Sequence, residues 1–290
     1  MDISCYLCHR ESQLLFTKSG YRLFRCPSCG LVQTDLGKPY DVFLQEFYTD
    51  GYFLGDVKKS AYKDYQKDKP YILKNMKTFL SLLQRQKQKG TLLDVGCAYG
   101  FFVELALQHG FDAYGVDPSK HAVGQAASHV SPRLKEGTTA AISYAPQSFD
   151  VISMLDVFEH LADPVAELTR LRPWLKDDGI LFLATGDTGS LAAKILKRRW
   201  TFYIPPQHLL FFNRQTITET LGQAGFVPIS FSRVGKWLSL SYVLHLARTT
   251  GESSIANFLQ PMVDVLHLGS LPLYIPMGDN MVVMAKKLDL

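Results

Sequence analysis

Two cysteine pairs, Cys5-x2-Cys8 and Cys26-x2-Cys29, stand seventeen residues apart near the start of this 290-residue chain. Thiolates paired at that spacing are a ligand set for tetrahedral zinc, and no coordination position is left open for catalysis, so the metal is read as structural. Leu14-Leu15-Phe16 and Tyr21-Arg22-Leu23-Phe24 flank Ser19-Gly20, the pattern of a hairpin that brings the two pairs together. Thirty-odd residues cannot hold a fold by apolar burial alone, and zinc supplies the missing stability. His9, beside Cys8, is read as a neighbour. Farther along, Asp156, Glu159 and His160 fall at i, i+3 and i+4. On one helical face they could hold a divalent cation such as magnesium. His160 and His208 carry imidazoles whose ordinary pKa lies near neutrality, so each is a candidate general base or, alternatively, a hydrogen-bonding tie for its own loop.

These groups need elements to position them. Thr91 to Val95 is a short apolar run that ends in Gly96-Cys97-Ala98-Tyr99-Gly100, and Phe101 to His109 then has helical spacing, closed by Gly110. Strand, glycine turn and helix follow one another, and such a turn lets a ligand lie against the helix N-terminus. The next strand, Phe111 to Val116, leads into Asp117-Pro118-Ser119, which puts a carboxylate about 20 residues past the glycine turn, where such folds bind ribose hydroxyls. Ser119 is placed to cap the following helix. Gly96-x-x-x-Gly100 lacks the G-x-G-x-x-G that brings backbone against a pyrophosphate, which demotes a nicotinamide dinucleotide.

At these residues the chain resembles the class I S-adenosylmethionine-dependent methyltransferases. The similarity continues through Phe149 to Met154 (a fourth strand), Leu155 to Pro164 (the segment into the next helix) and Asp178 to Thr185 (a turn and fifth strand). It covers residues 90 to 235 closely and, with the cysteines, extends to a bacterial subgroup of zinc-ribbon methyltransferases linked to surface-glycan and other small-molecule pathways. The resemblance implies an α/β fold: a Rossmann-like, seven-stranded sheet with helices on both faces, closed by an antiparallel strand over Asn280 to Lys287, plus the small N-terminal zinc ribbon. It implies that Asp94, Gly96, Ala98 and Gly100 line the methionine end of S-adenosylmethionine, that Asp117 holds the ribose, and that Leu155 lies against the cofactor. Cys97, Pro118 and Thr138 complete the cofactor-binding candidates. Ala98 stands where many relatives have glycine, and Gly137-Thr138-Thr139 lacks the acid that often holds the adenine amino group. Asp156-x-x-Glu159-His160 is similar to the acid-x-x-Glu-His pattern of ubiquinone-pathway O-methyltransferases, where magnesium positions hydroxyl oxygens.

Three segments are expected: a zinc ribbon over 1–38, a tyrosine-rich helical linker or lid over 39–90 with helical spacing from about Ser60, and a methyltransferase domain over 91–290 with inserts near 186–213 and 236–275. The first insert carries Tyr203 and His208, and the second is unusually apolar, as a lid or self-association surface would be. Lysine and arginine total 31 against 27 acids with no long basic run, so the composition does not nominate nucleic acid. The basic stretch Lys194 to Trp200 leaves room for peripheral membrane contact, although no transmembrane segment is present. The absence of an apolar leader points to the cytoplasm, where a disulfide framework is not expected. The leading expectation is O-methylation of a small molecule or glycan precursor. Its rivals are an RNA methyltransferase that docks RNA through the ribbon and a non-catalytic adenosylmethionine-binding scaffold. The oligomeric state is not legible.

Overall fold

The computed structural model describes residues 3–40, 42–43, 67–249 and 254–288. At the N-terminus, β1 (Ile3–Ser4), β2 (Glu11–Lys18), β3 (Tyr21–Arg25) and β4 (Val32–Asp35) form an antiparallel sheet. Ser19 and Gly20, both with positive φ, make the two-residue turn between β2 and β3. The two cysteine pairs sit in matching knuckles. Cys5 N–H donates to the Arg10 carbonyl and His9 N–H to the Cys5 carbonyl, as Cys26 N–H does to Leu31 and Gly30 N–H to Cys26. His9 thus supplies the left-handed backbone that Gly30 supplies in the second knuckle, with φ of 58° and 82°.

The larger sheet is built from β5 (Gly90–Val95), β6 (Phe111–Asp117), β7 (Leu134–Glu136), β8 (Phe149–Leu155), β9 (Leu175–Gly186), β11 (Phe226–Ser239) and β12 (Pro272–Lys287), in the order β11-β12-β9-β8-β5-β6-β7. The short β10 (Leu210–Phe211) belongs instead to the ribbon sheet, paired with β4. Neighbouring residues within each strand serve opposite faces. Leu93, Ile152, Leu181 and Val283 pack toward α4 (Pro164–Leu171) and α6 (Arg214–Gln223), whereas Leu92, Val151, Phe182 and Val282 pack toward α1 (Lys69–Gln84) and α2 (Phe101–Gln108). The sheet has the seven strands expected, but the last strand, expected as an antiparallel edge, is not at the edge, and the strand at Phe226–Ser239 was not foreseen. β12 inserts between β9 and β11 and runs antiparallel to both, which leaves β11 outermost.

Two inserts complete the molecule. Between β9 and α6 lie α5 (Leu191–Leu196) and the loop through Trp200 and His208. Between β11 and β12 lie α7 (Leu240–Thr249) and α8 (Ser254–Val265), which sit at the tip of a two-stranded arm where β11 and β12 run on past the end of β9. α8 turns Ala256, Gln260 and Val263 inward and leaves Ile255, Phe258 and Met262 exposed. Asn75 of α1 holds the arm through both backbone groups of Trp237. The short α3 (Lys120–Gly124) is capped as expected, its Ala122 N–H donating to Ser119 Oγ at 3.1 Å. Among the described residues no helix is long and apolar enough to cross a membrane. The expected helical start near Ser60 lies outside the described residues.

The ribbon shares its core with the larger sheet. Cys5, Leu7, Cys26, Cys29 and Leu31 pack in one cluster with Leu209, Phe212, Ile217 and Leu221. Tyr6 reaches α4, its hydroxyl donating to Asp163 at 2.6 Å and accepting Val165 N–H at 3.0 Å. A single melting transition is therefore expected. Cys26→Ser should lower it for the whole chain by roughly 10 °C, matching a loss of about 3–5 kcal/mol. Calorimetry showing an unshifted main transition with a separate small one would contradict the shared core.

Candidate functional site

The C-terminal ends of β5, β6 and β8 open into a cavity of about 710 Å³. Of the cofactor candidates, Gly96, Ala98, Asp117, Pro118, Thr138 and Leu155 line it. Gly96 has φ of +76°, and an added Cβ would lie 2.4 Å from Val157 Cγ2. Ala98 also takes a left-handed backbone, with φ of +47°, and its N–H donates to Asp117 Oδ2 at 2.8 Å. The hydrogen bond holds in place a conformation that glycine would adopt without strain. Asp117 Oδ1 accepts Ser119 N–H at 2.9 Å. Each carboxylate oxygen therefore keeps acceptor capacity, which fits a pair of ribose hydroxyls. The other three candidates lie behind the lining. Asp94 is buried and accepts the Ser153 hydroxyl at 2.7 Å, its pKa raised to about 7 by burial. Cys97 packs on Gly115, and Gly100 caps α2. Near Thr138, where the sequence offers no acid, Glu167 of α4 lines the cavity and accepts the Thr139 hydroxyl.

His160 and His208, offered separately by the sequence, meet here. Their rings lie edge to face with centroids 4.9 Å apart. Phe158–His160 forms a single 3-10 turn after β8, and its Glu159 is fully buried. Glu159 Oε2 accepts the Thr185 hydroxyl at 2.7 Å, while Oε1 has no hydrogen-bond partner and faces His208 Nε2 at 4.0 Å, too long for a hydrogen bond. His160 Nδ1 is 2.9 Å from the Gln207 carbonyl and His208 Nδ1 is 2.7 Å from that of Phe202, so both Nδ1 atoms carry the proton. Burial dominates the electrostatics. It raises the Glu159 pKa to about 8, helped by Asp156, and it lowers His160 to about 4 and His208 well below its ordinary value. Burial thus favours the protonated acid and the neutral form of both imidazoles.

The expected single helical face of Asp156, Glu159 and His160 does not form. Asp156 precedes the turn with φ of +53°, its N–H donates to the Ala184 carbonyl, and both its carboxylate oxygens lie 3.2 Å from Lys236 Nζ. An ammonium group already sits against the carboxylate that was to bind magnesium. The three potential ligand atoms that do converge, within 4.8 Å, come from Glu159, His160 and His208. Two nitrogens and one oxygen do not suit magnesium, which prefers oxygen ligands. Lys236, Asp279 and Asn280 also line the cavity. Reading the sequence missed them, because a lysine between Gly235 and Trp237 in a strand gives no periodic sign of facing inward.

The four ribbon sulfurs lie within 4.8 Å of one another, with Cys5 to Cys29 at 3.6 Å and Cys8 to Cys26 at 3.4 Å. A tetrahedron with bonds of about 2.3 Å has edges of about 3.8 Å, so the donor set and its spacing fit zinc. Of the tyrosines in the expected 39–90 linker or lid, Tyr40 and Tyr71 line the cavity. Tyr48, Tyr52, Tyr62 and Tyr65 lie outside the described residues.

A family model described as "Methyltransferase domain" matches residues 65–230, and the chain belongs to that family. It is similar to the ubiquinone biosynthesis O-methyltransferase of Cereibacter sphaeroides, at 28% identity over 182 residues covering 55% of this chain and 74% of the relative. The Ruegeria pomeroyi protein of that description is 29% identical over 175 residues, covering 52% and 71%. Among solved structures, a SAM-dependent methyltransferase from Archaeoglobus fulgidus superposes with a TM-score of 0.52 at 17% identity, covering 86% of this chain and all of that one. The 1,6-didemethyltoxoflavin-N1-methyltransferase of Burkholderia thailandensis gives 0.52 at 15% identity, covering 96% and 100%. The chain is an S-adenosylmethionine-dependent methyltransferase with a Rossmann-like fold.

The raised Glu159 pKa has a consequence for stability. Between the ordinary glutamate value and about pH 8 the folded chain holds a proton that the unfolded chain releases. That contribution is complete below the ordinary value and is lost as pH rises through 8. Glu159→Gln should flatten the decline in stability between pH 5 and pH 8 by at least about 1 kcal/mol in denaturant titrations. Asp94 has the same sign but is present in both proteins, so it cancels. Parallel curves for the two proteins would refute the buried, protonated glutamate.

Proposed function

We propose that the protein methylates a hydroxyl group on a small, largely apolar molecule, with His208 as general base and Glu159 as its partner. The observation that carries this reading is the convergence of Glu159, His160 and His208 on the cavity wall beside Leu155, at the boundary between the cofactor half and the acceptor half. The relatives' description as ubiquinone biosynthesis O-methyltransferases supports oxygen as the methylated atom.

The residues that would hold S-adenosylmethionine are Gly96, Ala98, Asp117, Thr138 and Leu155. Bound there, its sulfonium supplies a methyl group already activated for transfer, and the protein's task is alignment and removal of one proton. His208 meets the second need. Its Nδ1–H is committed to the Phe202 carbonyl, which leaves the Nε2 lone pair to take the acceptor's proton as its oxygen bonds to the methyl carbon and the carbon–sulfur bond breaks. An imidazolium formed there would be costly in a buried site, and it is balanced in those molecules whose Glu159, 4.0 Å away, has already lost its proton to solvent. The low pKa of His208 and the high pKa of Glu159 express one desolvation acting on both groups. His160, tied to the Gln207 carbonyl, is read as a wall that orients His208.

The acceptor half is walled by Tyr40, Tyr71, Trp237, Tyr242, Leu246 and Met277. Such a wall favours an aromatic or aliphatic body over a glycan, whose many hydroxyls would lose water without finding partners. The Asp156–Lys236 pair is the charged element placed to meet a polar group on that body.

A panel of phenols and other hydroxylated apolar compounds, assayed for transfer of labelled methyl, tests the proposal. With an accepted compound, His208→Gln should lower kcat about 10²–10⁴-fold while S-adenosylhomocysteine binds as in wild type. Turnover within a few-fold of wild type would remove His208 from the reaction, and methyl transfer only to nitrogen acceptors would remove the oxygen assignment.

A further inference from the structure

The ribbon's place in the fold suggests a purpose beyond its own folding. β10, at the edge of the five-stranded sheet, has β4 as its single strand neighbour, with Leu210 opposite Gln33 and Phe211 opposite Val32. His208 lies two residues before that strand. Thr34 takes both carbonyls at this point: its hydroxyl donates to the His208 carbonyl at 2.8 Å and its N–H to the Leu209 carbonyl at 2.8 Å. From the other side, Leu209 N–H donates to the Glu159 carbonyl at 2.8 Å. The peptide units around Leu209 are thereby clamped between the ribbon and the turn that carries Glu159 and His160. Tyr40, just beyond the ribbon, adds a hydrogen bond from its hydroxyl to the His160 carbonyl at 3.1 Å.

The clamp leads back to both cysteine knuckles. Gln33, beside Thr34, donates to the Ser4 carbonyl at 2.8 Å and accepts Tyr6 N–H at 2.9 Å, so its side chain grips the first knuckle. The second knuckle ends at Cys29, three residues before β4 begins, with Leu31 and Val32 buried. On the far side of the ribbon, Lys18 Nζ donates to the carbonyls of Arg198 and Trp200 at 2.9 and 3.4 Å, which fixes the start of the same insert.

We infer that the zinc ribbon is a working part of the acceptor site, holding the His208 loop in register through β4, with Thr34 as the positioning residue. The β4 edge of the ribbon sheet is taken up by β10. The cofactor half, built from the ends of β5, β6 and β8, receives no such contact. The ribbon should therefore govern the acceptor side and leave cofactor binding alone. This inference rests on reading Glu159 and His208 as the acid-base pair, but its test does not depend on an acceptor.

The experiment compares the full-length, zinc-loaded wild type with Thr34→Val and Thr34→Ser by hydrogen-exchange mass spectrometry, zinc analysis and S-adenosylhomocysteine calorimetry. Valine keeps the shape and the N–H of Thr34 and removes the hydroxyl. In Thr34→Val the amides of 202–212 should exchange about fivefold faster, as expected for the loss of one hydrogen bond. Zinc content and S-adenosylhomocysteine affinity should stay within twofold of wild type, and the ¹⁵N signals of the His208 ring should show a mixture of tautomers. Thr34→Ser should restore wild-type exchange. Unchanged exchange at 202–212, acceleration spread evenly over the chain, or loss of S-adenosylhomocysteine binding would each overturn the inference. If exchange responds as expected while His208→Gln retains turnover, the brace stands and the choice of base fails. The reverse pair of results would separate them the other way.

Discussion

Much of the structure depends on one buried carboxyl group. Glu159 is fully enclosed, and its side chain and backbone join three parts of the molecule that are distant in sequence. Its carboxyl is held by Thr185 at the end of β9, in the sheet. Its carbonyl accepts the insert's Leu209 N–H, and the Leu209 carbonyl in turn accepts Thr34 N–H from the ribbon. A group placed this way cannot remain charged cheaply, because no cation touches it and desolvation disfavours the carboxylate. The same desolvation favours the neutral form of both neighbouring imidazoles.

Two different physical solutions share the cavity. The half proposed for the cofactor uses left-handed backbone and parallel strand ends: Gly96 and Ala98 at positive φ, with Asp117 fixed by two backbone N–H groups. A substitution there acts through space that no side chain can occupy, as the 2.4 Å approach to Val157 shows. The half proposed for the acceptor is assembled from segments outside the parallel core, namely Tyr40, the loop from Phe202 to His208, and the arm carrying Lys236 and Trp237. Nothing in the strand ends requires those segments to take one particular arrangement. Their order comes from hydrogen bonds between groups far apart in sequence: Tyr40 to the His160 carbonyl, Thr34 to the His208 and Leu209 carbonyls, and Asn75 to the Trp237 backbone.

That difference explains which features the sequence made legible. The glycine turn, Asp117 and the strand cores could be read because each leaves a local signature: a period of two, a turn composition, or a fixed offset from strand to acid. The ribbon hairpin was legible for the same reason. The meeting of His160 with His208 was not, since it is made by the Gln207 carbonyl, 47 residues from His160, and backbone acceptors carry no sequence signal. A two-residue strand such as β10 has no periodicity to detect, so the fusion of ribbon and insert could not be inferred. The helical face through Asp156 was misread because spacing alone cannot show a left-handed residue at the end of a strand, nor that Lys236, 80 residues later, would pair with it.

The placement of the charges also separates the two halves energetically. Asp117 lies in the cofactor half, while Asp156 and Lys236 neutralise each other in the acceptor half. In the proposed reaction, protonation of His208 beside an already ionised Glu159 would create charge within a 4.0 Å pair instead of on an isolated ring, which lowers its cost in a buried site. For that to work the distance must be held, and both ends of it are tied to the Leu209 peptide: Glu159 through its carbonyl, and His208 through the adjoining bond. A fold that fixed the cofactor alone would leave this distance free. The ribbon, by completing the strand beside it, removes that freedom.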